Sequence, residues 1–154
     1  MTANAKKAIK IGSMCFLAYL AVYLARNILS TVTPAMQAQG FTKDSIGLAS
    51  SIYFYTYAVG QLINGAIGDK IKARWMISGG LLMAGVMNLL FARLGAQYPD
   101  AAVAVYGMTG FFLSMIYGPM TKVVSENTEP IYATRCSIGY TLASFLGSPA
   151  AGVL

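Results

Sequence analysis

One cation set deep in an apolar run is the residue of this 154-residue chain best placed to do chemistry. Arg26 lies in the stretch Tyr19 to Asn27, YLAVYLARN, within the first long apolar run, from about Ile11 to Met36. A guanidinium at the centre of a membrane helix costs roughly 2.5 to 3.5 kcal/mol, so it persists where it faces a water-filled cavity or a partner. Tyr19, Tyr23 and Arg26 are spaced i, i+4, i+7, which puts two phenols and the cation on one helical face. That face is expected to line a pathway, with Arg26 meeting an anion there. The competing readings are an Arg paired to a membrane carboxylate and an Arg snorkelling to an interface. Asp44, Asp69, Asp100, Glu126 and Glu129 all fall in polar breaks or at the ends of apolar runs. None offers Arg26 a counter-ion at mid-depth, and proton coupling through a membrane carboxylate is equally unsupported in this chain.

A second polar face follows. Tyr53, Tyr57, Gln61 and Asn64 recur at i, i+4, i+8, i+11, with Gly60 and Gly65 small enough to let another helix approach. Two readings stand: a hydrogen-bonded seam between helices, or a second wall of the same cavity. Tyr117, Tyr140, Thr141 and Ser144 can add polar lining, although each residue alone is more often packing. Other chemistries find little support. There is no His, and Cys15 and Cys136 read as separate thiols in apolar surroundings, with no disulfide or metal site inferred. No nucleophile and base pair or phosphate-cradling Gly loop appears, so neither an enzyme nor a cofactor is expected.

These side chains need elements to position them. The chain is 56% hydrophobic and 10% charged, against about 25% charged in a soluble domain. An all-α membrane protein is expected, with five spans of about 20 mostly apolar residues. They cover about 11–36, 45–67, 75–94, 101–124 and 131–154. Gly118-Pro119 marks a bend in the fourth. The net charge of +6 does not point to nucleic acid, because the cations sit between apolar segments. Lys6, Lys7, Lys10, Lys70, Lys72, Arg74, Lys122 and Arg135 fall on one side, and only Lys43 and Arg93 on the other. The lipid bilayer is therefore a partner, and the N-terminus, read as a retained tail, is expected in the cytoplasm of a cell-membrane protein.

The break from Gly65 to Arg74, GAIGDKIKAR, resembles the loop signature of the major facilitator superfamily between its second and third spans. Gly65, Asp69, Lys70 and Arg74 match; Lys72 stands where the pattern has Gly and Ala73 where it usually has a cation. The resemblance implies a gate, with Asp69 paired to a cation of a neighbouring helix and Arg135 as the candidate. Within the superfamily, the first span is similar to the organophosphate:phosphate antiporters, through Tyr19, Tyr23 and Arg26 with Asn27 adjacent. Tyr57 matches a binding-site Tyr of their second helix. Gln61 stands where bacterial glycerol phosphate antiporters carry Lys, and their fifth-helix His has no counterpart here.

The resemblance implies the N-terminal bundle of a carrier for a small anionic solute such as glycerol 3-phosphate or a sugar phosphate, exchanged for phosphate. Arg26, Tyr19, Tyr23, Tyr57 and Gln61 would form its half of the site. A full-length member has twelve spans, so the expected partner is a C-terminal half of the same chain. A transporter-fold sensor of sugar phosphate, or a carrier of nitrate or a carboxylate, are the alternatives.

Overall fold

The computed structural model describes residues 3–95 and 97–153, with side chains described over 4–95 and 97–147. Five α-helices follow one another: α1 (Ala3–Ala38), α2 (Lys43–Gly68), α3 (Ala73–Leu94), α4 (Pro99–Asn127) and α5 (Pro130–Val153). Their ends are written in local chemistry. After α1, Gly40 takes a φ of 93°, which only Gly adopts without strain. The Gly40 N–H then bonds the Gln37 carbonyl and the Phe41 N–H reaches back to Met36, both at 3.1 Å. This closes the helix in a Schellman turn, with Phe41 packed beside Met36 in the core. Thr42 caps α2 by accepting from the Ser45 N–H at 3.1 Å, and Asp44 adds an acid to the positive end of the helix. Pro99 opens α4 where its missing N–H is harmless.

α1, α3 and α4 are long and apolar enough to cross a membrane by length and composition. α2 and α5 have 26 and 24 residues, about 39 and 36 Å of helix, also sufficient to span. Tyr, Ser, Thr, Gln and Asn dilute their apolar character. One boundary differs from expectation. The N-terminal tail is helical from Ala3, which makes α1 36 residues long, about 54 Å against a hydrocarbon layer of about 30 Å. Its first turns run beyond the apolar stretch, and Asn4 Nδ2 donates to Glu129 Oε1 at 2.7 Å, tying the tail to the α4–α5 connection. Pro119, where a bend is expected, lies inside a continuous α4. The last residue of the expected fifth span, Leu154, lies outside the described residues.

α4 is the central helix. It packs along α2 on one side and α3 on the other, while α1 packs along α5 and touches α4 more lightly. Close approach explains the α2–α4 pair. A Cβ on Gly110 would strike the Tyr53 carbonyl, and one on Gly60 would strike Ser114 Oγ. Around that seam Tyr53, Tyr106, Leu113 and Ile116 are buried, and Phe91 and Ala84 of α3 complete the core. Gly65 has nothing within 4 Å, so the expectation that it too admits a neighbouring helix does not hold within the described residues. Large apolar side chains remain exposed on the outer faces, among them Leu62, Tyr55, Leu89 and Phe145. Such surface suits lipid or another helical bundle.

Candidate functional site

Arg26 lies 15 residues past the start of the apolar part of α1 and ten before its end, about 22 and 15 Å along the axis. Two side chains from other helices hold the backbone at that height. Asn88 Nδ2 of α3 donates to the Ala25 carbonyl at 3.2 Å, and Tyr106 Oη of α4 donates to the Arg26 carbonyl at 2.9 Å. The middle of α1 is thereby fastened to both neighbours while its side chain is free to point elsewhere. The guanidinium Cζ lies 5.7 Å from the Tyr23 ring centroid, 5.2 Å from Phe54 and 5.9 Å from Tyr57. Three π systems thus offset part of the cost of a cation at this depth, each worth about 0.5–2 kcal/mol according to its desolvation. The single ion pair among the described residues is Lys122–Asp69, so no carboxylate meets Arg26 there. Arg26 is half-buried, and Phe54 beside it is 50% exposed. The cation therefore occupies the open face between α1 and α2, where it is reachable.

The remaining residues singled out by spacing sort into distinct roles. Tyr19 stands edge-on to Tyr23 at 5.2 Å and to Tyr140 at 5.7 Å, and lies 6.0 Å from Tyr117. It braces Tyr23 rather than touching Arg26. Gln61 Nε2 donates to Tyr57 Oη at 2.9 Å, which orients the phenol next to the cation. The second polar face divides between the two readings. Asn64 donates to Ser114 Oγ at 2.7 Å and Tyr53 is buried against α4, so these two belong to the interhelical seam. Tyr57 lies beside Arg26, with Gln61 on its hydroxyl. Tyr140 is buried with its hydroxyl on Ser137, so it adds no lining, whereas Thr141 is exposed and bonds its own helix. Tyr117 stays exposed beside the Tyr19 ring.

Spacing alone missed Phe54, Tyr106 and Asn88. Phe54 lies three residues before Tyr57, a helical neighbour that an apolar label conceals. Tyr106 and Asn88 are isolated polar residues in their spans, and nothing in the sequence says that they bond α1. Three buried polar atoms have no hydrogen-bond partner among the described residues: Tyr53 Oη, Asn88 Oδ1 and Thr109 Oγ1. Each costs about 1–3 kcal/mol when left so.

At the opposite end from the α1–α2 turn, Asp69 caps α2 and accepts from Lys122 Nζ of α4 at 3.0 Å. The expected ion pair with a neighbouring helix is present, but the partner is Lys122 and not Arg135. The reason is packing: α2 lies along α4, whereas α5 lies along α1. Arg135 instead borders a groove between α1 and α5 with Gly12, Tyr132 and Cys136. Lys70 is exposed, and Arg74 stacks on Trp75 with Cζ 5.3 Å from the ring. Cys15 and Cys136 are both free thiols.

A sequence profile described as Major Facilitator Superfamily matches residues 15–154. The chain is 32% identical over 98 residues to the membrane sensor protein UhpC of Salmonella typhimurium, covering 63% of this chain and 22% of that protein. It is 29% identical over 113 residues to the glycerol-3-phosphate transporter of Bacillus subtilis, covering 72% and 26%. It is 26% identical over 112 residues to a probable hexose phosphate transport protein of Chlamydia trachomatis, covering 72% and 24%. The chain spans about a quarter of the length of these relatives. The comparison with solved structures gives no significant match. With five long helices in one bundle, membrane-length apolar faces and a profile running through all of them, the chain is a multi-pass membrane protein and belongs to the Major Facilitator Superfamily.

Proposed function

We propose that this chain supplies the N-terminal half of the binding site of a secondary transporter for a small organic phosphate, working by exchange for phosphate. The observation that carries the reading is Arg26, held at mid-depth among Tyr23, Phe54 and Tyr57 with no carboxylate partner among the described residues. A guanidinium suits a phosphate because its planar fork forms paired, charge-assisted hydrogen bonds and stays protonated. Tyr57, oriented by Gln61, and Tyr23, braced by Tyr19, add phenol donors and flat surface for the organic part. A second bundle facing the open α1–α2 side would complete the site near the bilayer midplane. With the cation unneutralised the empty carrier reorients poorly, which makes transport an exchange. Asp69–Lys122 would latch α2 to α4 on the gate side, with Gly65 in the last turn of α2, Lys70 in the connection and Arg74 in the first turn of α3. The distribution of cations supports a cytoplasmic side there and a cytoplasmic N-terminus, in a cell-membrane protein. No covalent chemistry is assigned to any side chain, and the protein is read as a carrier and not an enzyme.

The test is an exchange assay in proteoliposomes on the protein as its reading frame encodes it. Glycerol 3-phosphate, hexose phosphates, inorganic phosphate and nitrate are compared as counter-substrates. Exchange of a phosphate ester for phosphate is expected; exchange of nitrate alone overturns the substrate class. The similarity to a membrane sensor protein favours a second reading, in which the same Arg26 site binds a sugar phosphate without moving it. Saturable binding with no flux would select that reading.

A further inference from the structure

Tyr117 of α4 is 41% exposed, and its ring lies 6.0 Å from that of Tyr19. Tyr19 in turn lies 5.2 Å from Tyr23, and the Tyr23 ring lies 5.7 Å from the Arg26 guanidinium. A line of phenols therefore runs from the cation to Tyr117. Tyr19 precedes Arg26 by seven residues, about 10 Å along α1. The Arg26 side chain leans back toward the start of its helix, as its contact with Tyr23 three residues earlier shows, which shortens the gap. A phosphate held on the guanidinium does not bridge what remains, whereas an organic group attached to that phosphate extends into it. Tyr117 also borders a groove of about 530 Å³ between α2 and α4. Gly65 and Gly118 line it, and a Cβ on either would meet nothing within 4 Å, so both leave room. Gly65 and Gly68 follow Gln61 by four and seven residues, so the groove continues the helical face that carries Tyr57 and Gln61. A Phe at position 117 would keep the ring contact with Tyr19; what Tyr adds is an exposed hydroxyl that both donates and accepts.

We propose that Tyr117 is a specificity-determining residue, and that its phenol and the α2–α4 groove receive the organic part of a phosphate ester whose phosphate sits on Arg26. The ligand class this selects is the phosphate ester of a sugar or other polyol. A hydroxyl of that group pairs with the Tyr117 O–H, and its carbon frame lies over the space that Gly65 and Gly118 leave open. Inorganic phosphate occupies the Arg26 end alone. Arg26 reads the charge and Tyr117 reads what is attached to it, because a site built to bond a ligand hydroxyl discriminates against a ligand that lacks one. The inference rests on the anion-site reading of Arg26 and deepens it, by naming the group that separates one phosphate compound from another.

The experiment compares Tyr117→Phe, Gly118→Leu and Arg26→Gln in the purified protein as its reading frame encodes it. Half-saturation concentrations for glucose 6-phosphate and for inorganic phosphate are measured in phosphate-loaded proteoliposomes, or as binding constants by calorimetry if the protein binds without flux. The readout is the ratio of the two. Tyr117→Phe is expected to raise the ratio about three- to tenfold, the effect of one lost hydrogen bond to the sugar. Gly118→Leu fills the groove from its wall and is expected to move the ratio the same way; it carries the test alone if the Tyr117 hydroxyl proves necessary for folding. Arg26→Gln is expected to abolish binding of both ligands. If Arg26→Gln abolishes binding while Tyr117→Phe and Gly118→Leu leave the ratio of the parent, the Tyr117 inference is overturned and the Arg26 site stands. Equal losses for both ligands in these two variants show a structural role and overturn it as well. If Arg26→Gln binds phosphate like the parent, the anion site itself falls and the inference falls with it.

Discussion

Arg26 and Lys differ at this position in more than size. The guanidinium lies among three rings at 5.2 to 5.9 Å, a stacking geometry that a compact ammonium reproduces poorly. Arg26→Lys is expected to keep the charge, insert normally and lower exchange by at least about tenfold through loss of the paired hydrogen bonds. Detergent size-exclusion profiles check folding and proteoliposome flux checks activity; wild-type flux in the mutant rejects the clamp role. Gln61 acts one step back, through its bond to Tyr57 Oη. Gln61→Leu is expected to leave that phenol free to rotate and to weaken binding by a few-fold, about 1 kcal/mol for one neutral hydrogen bond. The measurement is the half-saturation concentration at unchanged maximal rate. Arg26, its phenol face and the lack of an acid at its depth were legible in the sequence, because each depends on spacing along one helix. Phe54, Tyr106 and Asn88 were not, because their contacts with α1 depend on where α2, α3 and α4 lie.

The pairing of α2 with α4 is an element-scale property and rests on small residues. A Cβ on Gly110 would meet the Tyr53 carbonyl and also Thr56 Oγ1 at 2.8 Å. Backbone on the facing helix cannot rotate away, so the helices must separate. Gly110→Ala is expected to lower thermal stability by about 1–3 kcal/mol, the usual cost of overpacking a tight core. Gly79 on α3 has nothing within 4 Å, and Gly79→Ala is expected to be neutral or to stabilise by a few tenths of a kcal/mol through helix propensity. Melting curves of the two variants separate close approach from propensity; equal losses reject the packing account. The sequence announced the helices and most of their ends through Thr42, Gly40 and Pro99. It did not announce that α1 begins at Ala3, because Lys6, Lys7 and Lys10 form helix as well as they form tail.

For the whole molecule, the cations divide the two ends of the bundle unequally. A cysteine placed at Lys72 is expected to react with a membrane-impermeant maleimide only in inside-out vesicles, and one at Lys43 only in intact cells. The background for that test is Cys15, which is buried, and Cys136, which is half-buried. Labelling with the opposite sidedness rejects the proposed orientation. The Asp69–Lys122 pair joins α2 to α4 at the cation-rich end. Asp69 is 82% exposed there, so Asp69→Asn is expected to leave melting nearly unchanged. Its expected effect is on the balance between open and closed forms, read as altered exchange rate at unchanged binding; unaltered rate removes the latch role.

Length, apolar runs, cation asymmetry and the spacing of Tyr19, Tyr23 and Arg26 are properties of single segments, and the sequence by itself determined them. A helix of given composition must bury or solvate what it carries, whatever its neighbours are. Which acid meets which base, and which tyrosine packs and which faces the cation, were decided only by tertiary structure. Lys122 displaced Arg135 as the partner of Asp69, and Tyr53 parted from Tyr57, because α2 chose α4 as its neighbour. That choice is made by glycines such as Gly60 and Gly110, whose significance lies in the surface opposite them.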